Sequence, residues 1–310
     1  MLNIALGAME YGTRIGEQET FALLDAYVDA GGEWIDTANC YAFWQDPSGH
    51  GGQSEEVLGR WFARRPGVRD RVKLATKVGC EPLWPGSYPS HSEGLSAAAI
   101  DAALEASLRR LGVDHIDLYW AHRDDRSVPL EETAAAFGKH VAAGVVGRIG
   151  LSNYALWRAE RLRGLGVVEP TALQLRYSYL QPRPFVRDKA HDHRFGWITD
   201  EVLDYAAGNS SVQLFAYSPL MSGAYENRPD RPIHQAFDHP GTTRRLALLN
   251  QLATDLSVTP SEVVIAWLTG GTPAITPIIG ITTPAYLATA LQGADLHLTD
   301  DQRKQLDEVW

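Results

Sequence analysis

The feature that most constrains the fold of this chain is a regular alternation of short apolar runs with amphipathic segments. Runs rich in Val, Ile, Leu and aromatic residues predict eight strands, at residues 3–7, 33–37, 72–77, 115–122, 146–152, 171–175, 212–218 and 277–280. Helical periodicity predicts the intervening helices, at residues 17–30, 54–64, 96–111, 129–143, 154–163, 200–207, 244–256 and 284–291. Eight strand–helix repeats predict a single-domain (β/α)8 TIM barrel over residues 1–310.

An open, doubly wound sheet is the competing α/β architecture. It would normally carry the motif G-x-G-x-x-G between its first strand and helix, but this chain has GAMEYGTRIG there, with the wrong spacing. Long connections follow the third, sixth and seventh predicted strands, at the carboxyl ends where barrel active sites are built. We therefore expect these long loops to form the rim of a pocket. A terminal helix, capped by Thr299, is predicted to close the chain.

Composition excludes several classes of function. The formal charge of −10 argues against a surface for nucleic acid or anionic membranes, which needs clustered Lys and Arg. Two cysteines without a C-x-x-C motif are typical of a reducing cytoplasm. No leader-like segment and no apolar run long enough to cross a membrane is evident, so we expect a cytoplasmic protein. His191 and His193 lack a third ligand at a confirming spacing, and no metal site is predicted.

Polar residues stand at the carboxyl ends of successive predicted strands. They are Asp36, Lys77, His122, Ser152, Asn153, Gln174, Tyr217 and Ser218. Each has a structural alternative: Lys77 as a solvated strand-end charge, His122 as a core histidine and Gln174 as a strand cap. Because the strand ends of a barrel converge on one mouth, their joint placement favours a functional site.

Seven motifs carry a resemblance to a known family. IDTANCY, TKVG, YWAHRDD, GLSNY, LQLRYSYLQ, AYSPL and PIIGITTP, in this order, resemble the aldo-keto reductase superfamily over nearly the whole chain. The resemblance implies an oxidoreductase that interconverts an aldehyde or ketone, sugars included, with its alcohol. It implies a catalytic tetrad of Asp36, Tyr41, Lys77 and His122. It implies nicotinamide-holding residues Ser152, Asn153, Gln174 and Tyr217.

The chemistry explains the residue types of this tetrad. Carbonyl reduction needs a hydride on carbon and a proton donor about 3 Å from the oxygen, and Tyr41 is the candidate acid. A free phenol has a pKa near 10, and the Lys77 cation would favour its ionised form. Asp36 would keep the buried Lys77 charged. His122 would be the second donor to the carbonyl oxygen.

Further residues would hold the rest of a nicotinamide dinucleotide. Tyr217 offers a flat face to the nicotinamide ring. The residues expected near the phosphates are Ser218, Pro219, Leu220, Gly280, Thr282 and Thr283, the last two at a helix start. Many family members carry a basic residue for a 2′-phosphate in this last helix, where this chain has Thr282 and Tyr286. NADP(H) is favoured by the resemblance, NAD(H) stays open, and Arg244 or Arg245 is a substitute cation from the preceding loop.

Aromatic and apolar residues near the mouth are candidates for substrate contact. Met9, Trp44 and Trp120 are predicted to line it, Trp120 because it shares strand parity with His122. The partner is therefore predicted to be a small carbonyl compound or alcohol. Two alternatives stay open: a redox-sensing regulatory subunit that binds NADP(H) with little or no turnover, and a lyase that forms a Schiff base on Lys77.

Overall fold

The computed structural model describes residues 2–183, 196–226 and 230–309. Its parallel strands form a closed barrel in the order of the sequence, which confirms the predicted fold. The strands are β1 (Ala5–Gly7), β2 (Trp34–Asp36), β3 (Lys73–Val78), β4 (Ile116–Ala121), β5 (Val146–Ser152), β6 (Pro170–Arg176), β7 (Gln213–Tyr217) and β8 (Ile275–Ile279). Closure brings the carboxyl ends of all of them to one mouth.

Helices surround the barrel. Within the described residues they are α1 (Glu17–Asp29), α2 (Gln53–Arg64), α3 (Ala97–Leu111), α4 (Leu130–Ala142), α5 (Leu156–Arg163), α6 (Asp200–Gly208), α7 (Pro240–Leu256), α8 (Pro260–Thr269), α9 (Pro284–Asp295) and α10 (Asp300–Glu308). The prediction of one helix between β7 and β8 is wrong, because α7 and α8 both lie there. The predicted cap of α10 is confirmed, since the Thr299 hydroxyl accepts a hydrogen bond from the Gln302 amide.

Side chains fill the barrel interior, so it is not a pore. Ring centroids of Trp34 and Trp120 each lie 5.4 Å from that of Phe215 in edge contacts. Gly150 on β5 makes room for this packing, because a Cβ there would lie 2.3 Å from the Trp120 indole. These rings pack in the barrel interior below the polar residues of the mouth.

Alternation along β3 directs neighbouring side chains to opposite faces of the barrel wall. Ala75 belongs to the interior cluster, and Lys77 has the same parity. Thr76 points outward and contacts Glu55 of α2. The larger apolar core lies on that outer side, between strands and helices.

The described residues were compared with the requirements of a metal site and of a membrane-spanning helix. Among residues 2–183, 196–226 and 230–309, no group of three His, Cys, Asp or Glu side chains is placed to hold a metal ion. His191 and His193 lie outside these ranges. No helix in the same part of the chain has the length and apolar character to span a bilayer.

Candidate active site

A fully buried ammonium, that of Lys77, is the centre of the polar mouth. It donates to the Asp36 carboxylate, to the Thr37 carbonyl at 2.8 Å and to the Tyr41 hydroxyl at 3.1 Å. An ammonium has three N–H donors, and all three are used. The structure therefore brings the predicted Asp36, Tyr41 and Lys77 together as one hydrogen-bonded unit.

Asp36 is held from its other side as well. Its Oδ1 accepts hydrogen bonds from Trp120 Nε1 at 3.1 Å and from Gln174 Nε2 at 3.0 Å. Burial raises the pKa of Asp36 above its ordinary value, and the bonds from Lys77, Gln174 and Trp120 oppose that rise. Donors on both carboxylate oxygens fix the orientation of the group, which in turn fixes that of Lys77.

Tyr41 lies in the loop that follows β2, with its hydroxyl on the Lys77 ammonium. Burial raises the pKa of Tyr41 well above that of a free phenol, and the nearby Asp36 adds to the rise. Lys77 was expected to favour the ionised phenol, and its ammonium lies 3.1 Å from the Tyr41 oxygen, with the Asp36 carboxylate on its other side. Tyr41 stays protonated through the neutral range, which is the state a proton donor requires.

His122 follows β4 at the mouth, next to Tyr41. The two ring centroids are 5.8 Å apart, in an edge contact. The Cys40 sulfur lies 3.6 Å from His122 Nδ1. Burial raises the pKa of the Cys40 thiol, so the sulfur carries its proton.

The four predicted nicotinamide residues form one patch at the ends of β5, β6 and β7. Asn153, with a positive φ of 58°, donates to the Ser152 hydroxyl and to the His122 carbonyl, each at 3.0 Å. Its Oδ1 accepts from the Tyr217 hydroxyl at 2.9 Å. Ser152 and Gln174 are paired in register across β5 and β6.

This patch fits a nicotinamide chemically. Gln174 uses one amide N–H on Asp36 and retains a carbonyl oxygen, the acceptor that a carboxamide needs. Ser152 and Asn153 add polar groups beside it, and Tyr217 supplies a planar ring. The Arg176 guanidinium lies 5.1 Å from the centroid of that ring.

The candidate phosphate-binding residues lie around the ends of β7 and β8. Ser218 has a positive φ of 54°, and Pro219 and Leu220 follow it. A Cβ at Gly280 would meet nothing within 4 Å, so the backbone is open to close approach there. Thr282 precedes the α9 cap, Thr283, whose hydroxyl accepts from the Tyr286 amide at 3.2 Å.

No Lys or Arg occurs in α9, so this helix offers no cation to the proposed phosphate site. Arg244 and Arg245 lie within α7, which begins at Pro240, before the predicted helix start at residue 244. Arg245 donates to the Tyr179 carbonyl at 3.0 Å. The 2′-phosphate is therefore left without an evident partner on this helix.

Two of the three predicted substrate residues lie at the rim. Met9 is 42% exposed and Trp44 is 46% exposed, and the Trp44 ring contacts the edge of Tyr41. The prediction that Trp120 lines the mouth is wrong. Its side chain is fully buried beneath the tetrad, where it donates to Asp36. Its inward parity was predicted, but its depth was not. In the barrel, Trp120 of β4 is paired in register with Lys77 of β3, which places it under the site.

Comparisons with known proteins agree with this fold and identify its family. A family model described as the aldo/keto reductase family matches residues 3–310. The chain is 30% identical to the uncharacterized oxidoreductase YrpG of Bacillus subtilis, over 99% of this chain and 91% of that protein. It is 29% identical to the aldo-keto reductase yakc [NADP(+)] of Schizosaccharomyces pombe, over 94% of this chain and 83% of that protein. A solved thermostable aldo-keto reductase, Tm1743, shares the fold, with a TM-score of 0.74 at 23% identity, over 100% of this chain and 96% of that one.

Proposed function

Because the chain belongs to the aldo/keto reductase family, we propose that it interconverts an aldehyde or ketone with its alcohol, with Tyr41 as the general acid and base. The observation that carries the proposal is the buried Lys77 ammonium, shared between Asp36 and the Tyr41 hydroxyl. Such an arrangement is costly to bury, and it points one exchangeable proton at the mouth.

In the reductive direction two new bonds form on the carbonyl. A reduced nicotinamide, which Ser152, Asn153, Gln174 and Tyr217 would hold, would supply the hydride that adds to carbon. Tyr41 donates its proton to the oxygen, which accepts the electron pair of the broken π bond. The Lys77 ammonium stabilises the phenolate that remains, and His122 is the second donor that orients the carbonyl oxygen.

In the oxidative direction the same groups act in reverse. The Tyr41 phenolate removes the alcohol proton, and a bound oxidised nicotinamide would accept the hydride from carbon. Asp36 keeps the ammonium in place throughout, since it is held by Trp120 and Gln174 as well as by Lys77.

The Schiff-base alternative is disfavoured by the position of Lys77. A lysine nucleophile must be a neutral amine with a free lone pair. Here all three ammonium protons have acceptors, and the side chain has no exposed surface. An incoming carbonyl carbon would have to displace one of these partners.

The test is reduction of a panel of aldehydes and ketones, followed by loss of absorbance of the reduced cofactor. We expect turnover with at least part of the panel, and NADPH preferred over NADH. Tight binding of either cofactor with no turnover on any carbonyl would favour the redox-sensing alternative instead. Absence of both binding and turnover would contradict both.

Cofactor preference is tested separately by titration with NADPH and NADH, each followed by quenching of protein fluorescence. The name of the fission-yeast relative supports NADP(H). Because α9 contains no Lys or Arg, we do not expect a large difference in affinity between NADPH and NADH. A 2′-phosphate is usually bound by a paired guanidinium. We therefore expect the two dissociation constants to differ by less than about tenfold, which is about 1.4 kcal/mol.

A further inference from the structure

A carboxylate outside the tetrad, that of Glu93, lies between the two chain segments that carry Lys77 and Tyr41. We propose that Glu93 is a positioning residue that holds the Tyr41 phenol within reach of the Lys77 ammonium. The inference rests on the proposed role of Tyr41. Glu93 belongs to the loop between β3 and α3, and it contacts neither the Lys77 ammonium nor the Tyr41 hydroxyl through any hydrogen bond found in the described residues.

The contacts of Glu93 join the end of β3 to the turn after β2. In the segment after β3, the Gly79 amide donates to Glu93 Oε1 at 2.6 Å and the Glu81 amide donates to it at 3.2 Å. In the turn after β2, Asn39 Nδ2 donates to both Glu93 oxygens, at 2.8 and 3.0 Å. Gly79 lies two residues after Lys77, and Asn39 lies two residues before Tyr41. One carboxylate thus ties together both sides of the 3.1 Å contact between the ammonium and the phenol.

A second carboxylate continues the link beyond Tyr41. Glu81 accepts from the Gly51 amide at 3.0 Å and lies 3.0 Å from His50 Nδ1. The next amide, that of Gly52, donates to the Tyr41 carbonyl at 2.9 Å. We call Glu93 and Glu81 the carboxylate clamp, since they hold the chain before and after Tyr41.

Close packing explains why the clamp controls position. A Cβ at Gly51 would lie 2.3 Å from the carbonyl carbon of Cys40, so the segment held by Glu81 rests directly on the peptide before Tyr41. Asn39 is 5% exposed, and a carboxylate can only accept, so the Asn39 amide must face Glu93 with its NH₂ group. Burial raises the pKa of Glu93, and the bonds from Asn39, Gly79 and Glu81 oppose that rise.

The experiment compares Asn39→Ala with the matched control Asp125→Asn. Asn39→Ala removes the hydrogen bonds between Glu93 and the turn that carries Tyr41. The bonds from the Gly79 and Glu81 amides to Glu93 remain. Asp125 accepts from the Leu95 amide at 2.9 Å, at the far end of the same loop, and from Ser127. No hydrogen bond among the described residues joins it to the tetrad. We expect kcat for carbonyl reduction to fall about 10- to 100-fold in Asn39→Ala, with KM for the cofactor unchanged, since small misplacements of a reacting group are costly. Asp125→Asn should stay within about twofold of the parent.

Glu93→Ala and the double variant Asn39→Ala/Glu93→Ala complete a cycle. If Asn39 acts through Glu93, the double variant should be no slower than Glu93→Ala alone. Should Glu93→Ala fail to fold, Asn39→Ala decides the matter by itself. Unchanged kcat in Asn39→Ala, or an equal loss in Asp125→Asn, would overturn the inference.

A second readout does not depend on activity. A crystal structure of Asn39→Ala should show Lys77 Nζ and Tyr41 Oη beyond hydrogen-bond distance, against 3.1 Å in the parent. A retained contact would refute the clamp. If the parent protein reduces no carbonyl at all, the proposed function fails, and this distance still tests the clamp.

Discussion

Strand β3 carries two buried charge networks, one on each face of the barrel wall. On the inner face, Lys77 pairs with Asp36. On the outer face, Thr76 donates to Glu55 at 2.5 Å, and Glu55 pairs with Arg110 of α3 at 2.6 Å. Asp36 and Glu55 are both almost completely buried.

The two networks differ in what surrounds the cation. Arg110 lies between α2 and α3 on the outside of the barrel, and 24% of its side chain is exposed to solvent there. Lys77 has no exposed surface and uses its third donor on Tyr41, at the mouth. A buried ion pair is therefore not in itself a sign of function. The informative feature is a third, titratable group that connects the pair to a site open to a ligand.

The largest effect is expected from Tyr41→Phe, which removes the third group and leaves the inner pair intact. Turnover should fall about 10³-fold, within the range of general acid catalysis, while cofactor affinity is nearly retained. The measurement is kcat together with a fluorescence titration of the cofactor. Tyr205→Phe, a phenol on α6 that bonds to Glu160, is the control and should keep full turnover. Full turnover in Tyr41→Phe would reject the assigned acid.

A matched pair of cation deletions tests the two faces directly. Lys77→Met should lower kcat at least about a hundredfold, because the phenol loses its stabilising charge. Arg110→Met should leave kcat within about twofold and lower the free energy of unfolding by about 3 kcal/mol, because Glu55 is left buried and unpaired. Steady-state kinetics and urea denaturation measure the two quantities. A large loss of kcat in a folded Arg110→Met protein would contradict the division of roles.

The direction of the reaction should determine its pH dependence. Because burial raises the pKa of Tyr41 well above its ordinary value, the phenol is protonated from pH 6 to 9, and reduction should be flat in that range. Alcohol oxidation needs the phenolate, whose fraction below the pKa rises about tenfold per pH unit. The slope of log kcat against pH should therefore be near zero for reduction and near one for oxidation. Arg110→Met should leave both slopes unchanged, and a falling reductive rate in the parent between pH 7 and 8 would contradict the raised pKa.

The smallest effects are expected from removing one neutral donor on each face. Trp120→Phe removes a hydrogen bond to Asp36, and Thr76→Val removes one to Glu55. Each should lower the free energy of unfolding by about 1 to 3 kcal/mol. Only Trp120→Phe should also change kcat, by about fivefold, because only Asp36 orients Lys77. Equal kinetics in the two variants would show that the orientation of Asp36 does not matter.

Much of the fold could be predicted from sequence because it follows strand periodicity, and the tetrad was implied by the family resemblance of the motifs at the strand ends. Asp36 and Lys77 stand at strand ends that a barrel must bring together. Helix α8 escaped prediction because nearly all of its residues are buried, so it lacks the polar face that marks an amphipathic helix.

Long-range contacts between loops were also beyond sequence reasoning. Asn39 and Glu93 are 54 positions apart in two irregular loops. No periodicity connects them, and only the closed barrel brings the loops together. The effect of Asp36 on the pKa of Tyr41 likewise depends on distances that strand order alone does not supply.

Gly150 has a consequence for protein engineering that reaches beyond its own strand. A side chain there would displace the indole of Trp120, because its Cβ would lie 2.3 Å from that ring. The displaced indole could no longer donate to Asp36, so a bulkier residue on β5 would disturb a carboxylate on β2. Positions 120 and 150 must therefore be changed together in any redesign. A larger residue at position 150 requires a smaller one at position 120.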